Sequence, residues 1–138
     1  MKIPAVLIVI LAILIGTLPY VFNCQYDGKA LTLENGRQVP MKCYWTAQAS
    51  LAVAVPLLAV GLLIAFSRQK ETLRALALVG AILGIMVTLL PTRLIGVCQH
   101  PGASCNLVMK PALVFGGTLV IGVSLVSLVI SQRSVEQP

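Results

Sequence analysis

The sequence predicts an all-α membrane protein, a four-helix transmembrane bundle made of two helical hairpins, and three observations carry that expectation. Hydrophobic residues make up 58% of the 138 positions and charged residues only 10%, whereas soluble domains are roughly a quarter charged. Four apolar spans, about 3–22, 47–66, 75–97 and 112–130, each reach the roughly 20 residues needed to cross about 30 Å of hydrocarbon. No Asp, Glu, Lys, Arg or His stands in the middle of any of them. Residues 1–138 therefore read as a single integral membrane domain, with no room for a soluble catalytic core. The net charge of +6 comes from Lys and Arg flanking the spans. That suits a lipid surface and gives no basis for nucleic-acid binding.

The first span opens with Lys2 and an apolar run, as an export signal would. Its end, Gly16-Thr17-Leu18-Pro19-Tyr20-Val21-Phe22, offers no small-x-small cleavage site, so it reads as a retained helix. The outer loop that follows, 23–46, contains Asn35-Gly36 between Leu31-Thr32-Leu33 and Gln38-Val39. Asn-Gly is the strongest short hairpin signal, because both positions of a two-residue turn need positive φ. Such a turn would set Glu34 opposite Arg37 and Thr32 opposite Val39 in a short β-hairpin. The second span carries Pro56, which in a helix interior frees a carbonyl. A short cationic connection, Arg68, Lys70 and Arg74, leads into the third span, and the second outer loop, 98–111, leads into the fourth.

An even number of crossings puts both termini on one side and both long loops on the other. The cations split evenly: Lys2, Arg68, Lys70, Arg74 and Arg133 face Lys29, Arg37, Lys42, Arg93 and Lys110, so the positive-inside count does not decide. The density of charge in 67–74, and thiols that suit an oxidising compartment, favour cytoplasmic termini and extracytoplasmic cysteine loops. Trp45 and Arg93 fall at the loop-side interface as anchors, Arg93 reaching for lipid phosphate.

The two halves echo one another. Thr17-Leu18-Pro19, Cys24-Gln25 and Met41-Lys42 in the first have counterparts in Leu89-Leu90-Pro91, Cys98-Gln99 and Met109-Lys110 in the second. The echo suggests hairpins of the same polarity related by an axis along the membrane normal. Small residues four apart mark close helix approach, since lipid gives apolar burial no preference. They are Ala12/Gly16, Ser50/Ala54, Gly80/Gly84, Ala112/Gly116 and Thr118/Gly122, with Gly117 inside the glycine-rich Phe115–Gly122 stretch. Gly80, Gly84, Ala112, Gly116, Gly117 and Gly122 are the expected packing residues, and Phe115–Gly122 is a candidate face for another integral membrane protein.

Candidate chemistry is confined to the loops. Cys24, Cys43, Cys98 and Cys105 all fall on one side, and three readings of them stay open. Local pairing, Cys24–Cys43 and Cys98–Cys105, would staple each hairpin. Met41, Cys43, Cys98, His100, Cys105 and Met109 collect soft ligands that suit copper(I) or haem, yet lack compact zinc-type spacing. Thiol–disulfide exchange is the third, since DsbB-type oxidases also carry two cysteine pairs in two outer loops; here neither pair is Cys-x-x-Cys. No catalytic residue, cofactor or soluble substrate is identified.

Two blocks, Pro40-Met41-Lys42-Cys43-Tyr44-Trp45-Thr46-Ala47-Gln48-Ala49 and Leu89-Leu90-Pro91-Thr92-Arg93-Leu94-Ile95-Gly96-Val97-Cys98, resemble the bacterial membrane family called domain of unknown function 4418. The resemblance covers essentially the whole chain. It implies a small integral membrane protein associated with MacB/FtsX-type ABC export systems, and it carries no reaction. The expectation is a non-catalytic accessory subunit with a disulfide-stapled outer cap. The alternative is a thiol-redox or soft-metal protein using the same cysteines.

Overall fold

The structure is a computed structural model that describes residues 2–22, 31–99 and 102–136. Its helices are α1 (Lys2–Val21), α2 (Lys42–Phe66), α3 (Lys70–Leu89) and α4 (Lys110–Glu136). Two five-residue π turns extend them, Leu90–Leu94 after α3 and Cys105–Met109 leading into α4. Four helical segments, Lys2–Val21, Lys42–Phe66, Lys70–Leu94 and Cys105–Arg133, are long and apolar enough to cross a membrane. Most outrun the apolar spans, because backbone hydrogen bonding continues into the interface, where long polar side chains reach water.

The third span is the exception: the expected helix to Val97 stops short. Pro91 cannot donate to the carbonyl four residues back, and its ring crowds that turn. The ladder widens instead, and the amides of Ile95 and Gly96 both donate to Leu90 O at 3.1 Å. Gly96, at φ 79°, then turns the chain out of the helix, a conformation that costs glycine nothing.

Each helix packs chiefly on its hairpin partner, α1 on α2 and α3 on α4, and the hairpins meet along α1–α4 and α2–α3. This closed ring is the neighbour pattern that a two-fold axis along the membrane normal requires, exchanging α1 with α3 and α2 with α4. Ala5, Ile8, Ala12, Ile15 and Pro19 line the inner stripe of α1 at helical spacing. Ile3, Leu7, Ile10 and Leu14 are exposed on its other faces, so both sides of the helix are apolar. Pro56 lies on the exposed side of α2.

Glycines set the interhelical distances. A Cβ at Gly117 would lie 2.9 Å from Gly84 O, and one at Gly84 would lie 3.1 Å from Gly117 O; the backbones of α3 and α4 touch there. Within the first hairpin, a Cβ at Gly61 would come within 3.2 Å of Val9 N, and one at Gly16 within 3.2 Å of Ala54 Cβ. Gly116 turns the other way, its added Cβ 3.2 Å from Ile15 of α1. Gly122 does not pack: it is exposed, and a Cβ there would meet nothing within 4 Å. Thr118 is exposed beside it. The helical period carries these two onto the outer face once Gly117, Val120 and Ser124 face inward.

Hydroxyls within the spans bond back to the preceding turn, as Thr17 to Ile13 O at 2.8 Å, Thr88 to Gly84 O at 3.0 Å and Ser127 to Val123 O at 2.8 Å. That satisfies a polar group where water is absent. Ser124 differs. Its Oγ is fully buried without a hydrogen-bond partner among the described residues, against the α-carbon of Gly80, whose added Cβ would lie 2.9 Å from it. Ser124→Ala is therefore expected to stabilise the bundle by about 1 kcal/mol, since it removes an unsatisfied buried hydroxyl. Thermal unfolding in mild detergent measures this, and a lower midpoint would contradict it.

The first loop contains the expected hairpin, minimal and in a different register. Strands β1 (Leu31–Thr32) and β2 (Gln38–Val39) pair antiparallel, with Leu31 opposite Val39 and Thr32 opposite Gln38. The turn has three residues, closed by Gly36 N–H to Leu33 O at 2.9 Å and Leu33 N–H to Arg37 O at 3.0 Å. Only Gly36, at φ 74°, has positive φ; Asn35 does not. A type I turn with a glycine bulge needs one such residue where the two-residue turn needs two. That is the cheaper solution, and it shifts the pairing by one.

Candidate functional site at the cysteine end of the bundle

Of the residues singled out for chemistry, Met41, Cys43, Cys98, Cys105 and Met109 gather where α2 begins, α3 ends and α4 is entered. Pro40 closes the hairpin ribbon, and Met41, extended at φ −70° and ψ 165°, caps α2 without a side-chain hydrogen bond. Cys43 therefore lies within the first helical turn and not in a loop, and it is fully buried. Three residues on, buried Thr46 donates its hydroxyl to Gly96 O at 2.7 Å. This bond fastens α2 to the segment that leaves the first π turn. It also fixes Val97 and Cys98, which pack on the core.

Sulfur is concentrated here. Cys98 Sγ lies 3.8 Å from Met41 Sδ. Cys105 is fully buried at the start of the second π turn, its Sγ 3.7 Å from the carbonyl oxygen of Phe22 at the end of α1. Met109 ends that turn and is 1% exposed. The arrangement can hold the tops of all four helices together. Burial of Cys43 and Cys105 keeps their sulfurs from soluble thiols, whereas half-buried Cys98 is more open to reagents. Among the described residues, no group of three or more His, Cys, Asp or Glu side chains is placed to hold a metal ion. Cys24 and His100 lie outside the described residues, and so does any bond from Cys24 to Cys43.

The anchors sit at the same end. Trp45 is 56% exposed, edge-on to Tyr44 with ring centroids 5.7 Å apart, and Arg93 is exposed in the first π turn. Amphipathic rings and a long cationic side chain at one end of the bundle suit a headgroup layer. Of the expected packing residues, Gly80, Gly84, Gly116 and Gly117 are buried between helices. Ala112 is half-buried, and it lines an apolar groove of about 250 Å³ between α1 and α4 with Leu14, Leu18, Phe115 and Leu119.

Sequence reasoning did not single out the Thr46–Gly96 bond, Gly61 or either π turn. Pro91 within an apolar run and a glycine shortly after it were the available signal for the first turn; the second has none that we can name. Thr46→Val removes the bond at nearly constant shape and leaves Gly96 O without its donor. The expected loss is about 1 kcal/mol of stability, together with faster maleimide labelling of Cys98 than in the wild type under reducing conditions. Unchanged labelling would show that the bond does not hold the segment.

Comparison with protein families gives a match over residues 6–130, nearly the whole chain, to the family described as Domain of unknown function (DUF4418). Comparison with curated proteins and with solved structures gives no match.

Proposed function

The chain belongs to the family domain of unknown function 4418, and from that premise we propose that it is a small non-catalytic integral membrane subunit, an accessory component of a larger membrane complex such as a MacB/FtsX-type ABC exporter. The observation that carries this reading is the character of the bundle interior. Glycine, alanine and aliphatic side chains dominate it, with a few hydroxyls and sulfurs among them, and the span middles hold no ionisable group. Transporters of ions, protons or charged substrates place such groups at the bilayer midplane despite their cost. What remains for interaction is the outside: exposed Gly122 and Thr118, and the α1–α4 groove with Phe115 on its rim.

In this reading the cysteines form the local pairs Cys24–Cys43 and Cys98–Cys105 and stiffen the cap. Both termini are cytoplasmic, in a bacterial cytoplasmic membrane. The test is purification from membranes in mild detergent without reductant. A MacB/FtsX-type permease recovered at fixed stoichiometry would support it; a protein recovered alone at native expression would count against it.

One observation favours a second reading. The 3.8 Å approach of Cys98 to Met41 pairs two soft sulfur donors at the end where Cys43 and Cys105 lie, which suits copper(I) handling or thiol exchange. Metal analysis of the same preparation, with maleimide labelling before and after reduction, separates the two. Stoichiometric copper, or thiols labelled without reduction, would replace the structural account.

A further inference from the structure

Between the two π turns, at the cysteine end, lies a polar recess of about 400 Å³ lined by Thr92, Gln99, Asn106 and Lys110, with Pro91 and Gly96 in its wall. We propose that this recess binds the phosphodiester headgroup of a membrane lipid, and that it prefers an anionic headgroup carrying hydroxyls.

The lining fixes the chemistry. Among the described residues, Lys110 supplies the only charge, and no carboxylate lines the recess to neutralise it; the whole chain has just 4 acidic residues. An ammonium group is a cation with three donors and no acceptor, which favours an anionic partner with several acceptor oxygens. The amides of Gln99 and Asn106 both donate and accept, which matches hydroxyls beside a phosphate. An ethanolamine or choline headgroup would instead bring a second cation next to Lys110. The hydroxyl of Thr92 is already spent on Thr88 O at 3.0 Å, so it holds the wall in place and leaves donation to the other three.

Position selects the source. The recess opens where α3 ends and α4 is entered, at the same end of the bundle as exposed Arg93 and Trp45, where span ends meet the headgroup layer. Its walls are held before any ligand arrives. Gly96 is tied to Thr46 at 2.7 Å, and the two wide turns are closed by their own backbone bonds. π turns recur at functional sites; here one carries Thr92 and the other Asn106.

The experiment is thermal unfolding of the full chain in a neutral detergent, titrated separately with phosphatidylglycerol, phosphatidylcholine and inorganic phosphate. Phosphatidylglycerol is expected to raise the midpoint saturably. Lys110→Gln should weaken its apparent affinity by about tenfold, the loss of one charge-assisted contact, and Lys110→Arg should retain most of it. Arg133→Gln, the same charge change at the opposite end of α4, should leave the affinity unchanged. Equal stabilisation by phosphatidylcholine, or equal weakening by K110Q and R133Q, overturns the site. Saturation by inorganic phosphate, lost in K110Q and competitive with the lipid, upholds the anion chemistry and overturns the lipid source.

Discussion

Gly117→Leu is expected to lower the stability of the detergent-solubilised bundle by about 3 kcal/mol, at the upper end of what overpacking costs. The size follows from what the new side chain meets. Its Cβ alone would lie 2.9 Å from Gly84 O and 3.1 Å from Thr88 N. These are backbone atoms, which cannot rotate away as the end of a side chain can. Relief requires α3 and α4 to part along the contact that dominates the second hairpin, with loss of the packing beside it. Gly122→Leu provides the comparison, because it adds the same side chain to the same helix where nothing lies within 4 Å. It should change stability by no more than about 0.5 kcal/mol. Urea or SDS titration followed by circular dichroism gives both values. Equal effects would mean that α3 and α4 do not meet through Gly84 and Gly117.

Cys43→Ala should cost about 3 kcal/mol more in oxidised protein than in reduced protein. The closed-loop entropy of a Cys24–Cys43 bond sets that figure. The comparison across redox state is needed because Cys43 is fully buried. Its truncation loses some packing whether or not the sulfur is bonded, and that part cancels in the difference. Pairing within the first hairpin further requires that Cys98→Ala leave the redox dependence of the first hairpin intact. A Cys43→Ala penalty that is the same with and without reductant would remove the staple.

The helices were legible because lipid imposes a length and a composition that 138 residues cannot hide. Hairpin polarity was legible from the echo of proline, cysteine and Met-Lys. Which face of each helix turns inward was not, because Ile3, Leu7 and Ile10 on the outside of α1 are as apolar as Ile8 and Ile15 within. An apolar stripe stands out only against a polar face, and a helix surrounded by lipid has none. The small-residue rule found Gly80 and Gly84 yet did not tell them from outward-facing Gly122 and passed over Gly61, since spacing gives a stripe without its direction. The hairpin register was missed for a local reason: a glycine bulge and a two-residue turn share the same Asn-Gly signal. At the cysteine end, sequence brought the sulfur-bearing residues together by topology alone. Thr46 and Gly96, 50 positions apart, carry no sign in the sequence that one will hold the other.

The ring of two hairpins bears on how the chain is made. Contacts are concentrated between neighbours in sequence, α1 with α2 and α3 with α4, and only the short stretch Ser67-Arg68-Gln69 joins the two pairs. Each pair can leave the insertion machinery and close on itself before the next is synthesised, so loop closure costs little at each step. The α1–α4 seam must wait until α4 emerges. Until then the lipid-exposed edge of the first pair stands open, and a neighbouring protein that reaches it early competes with α4.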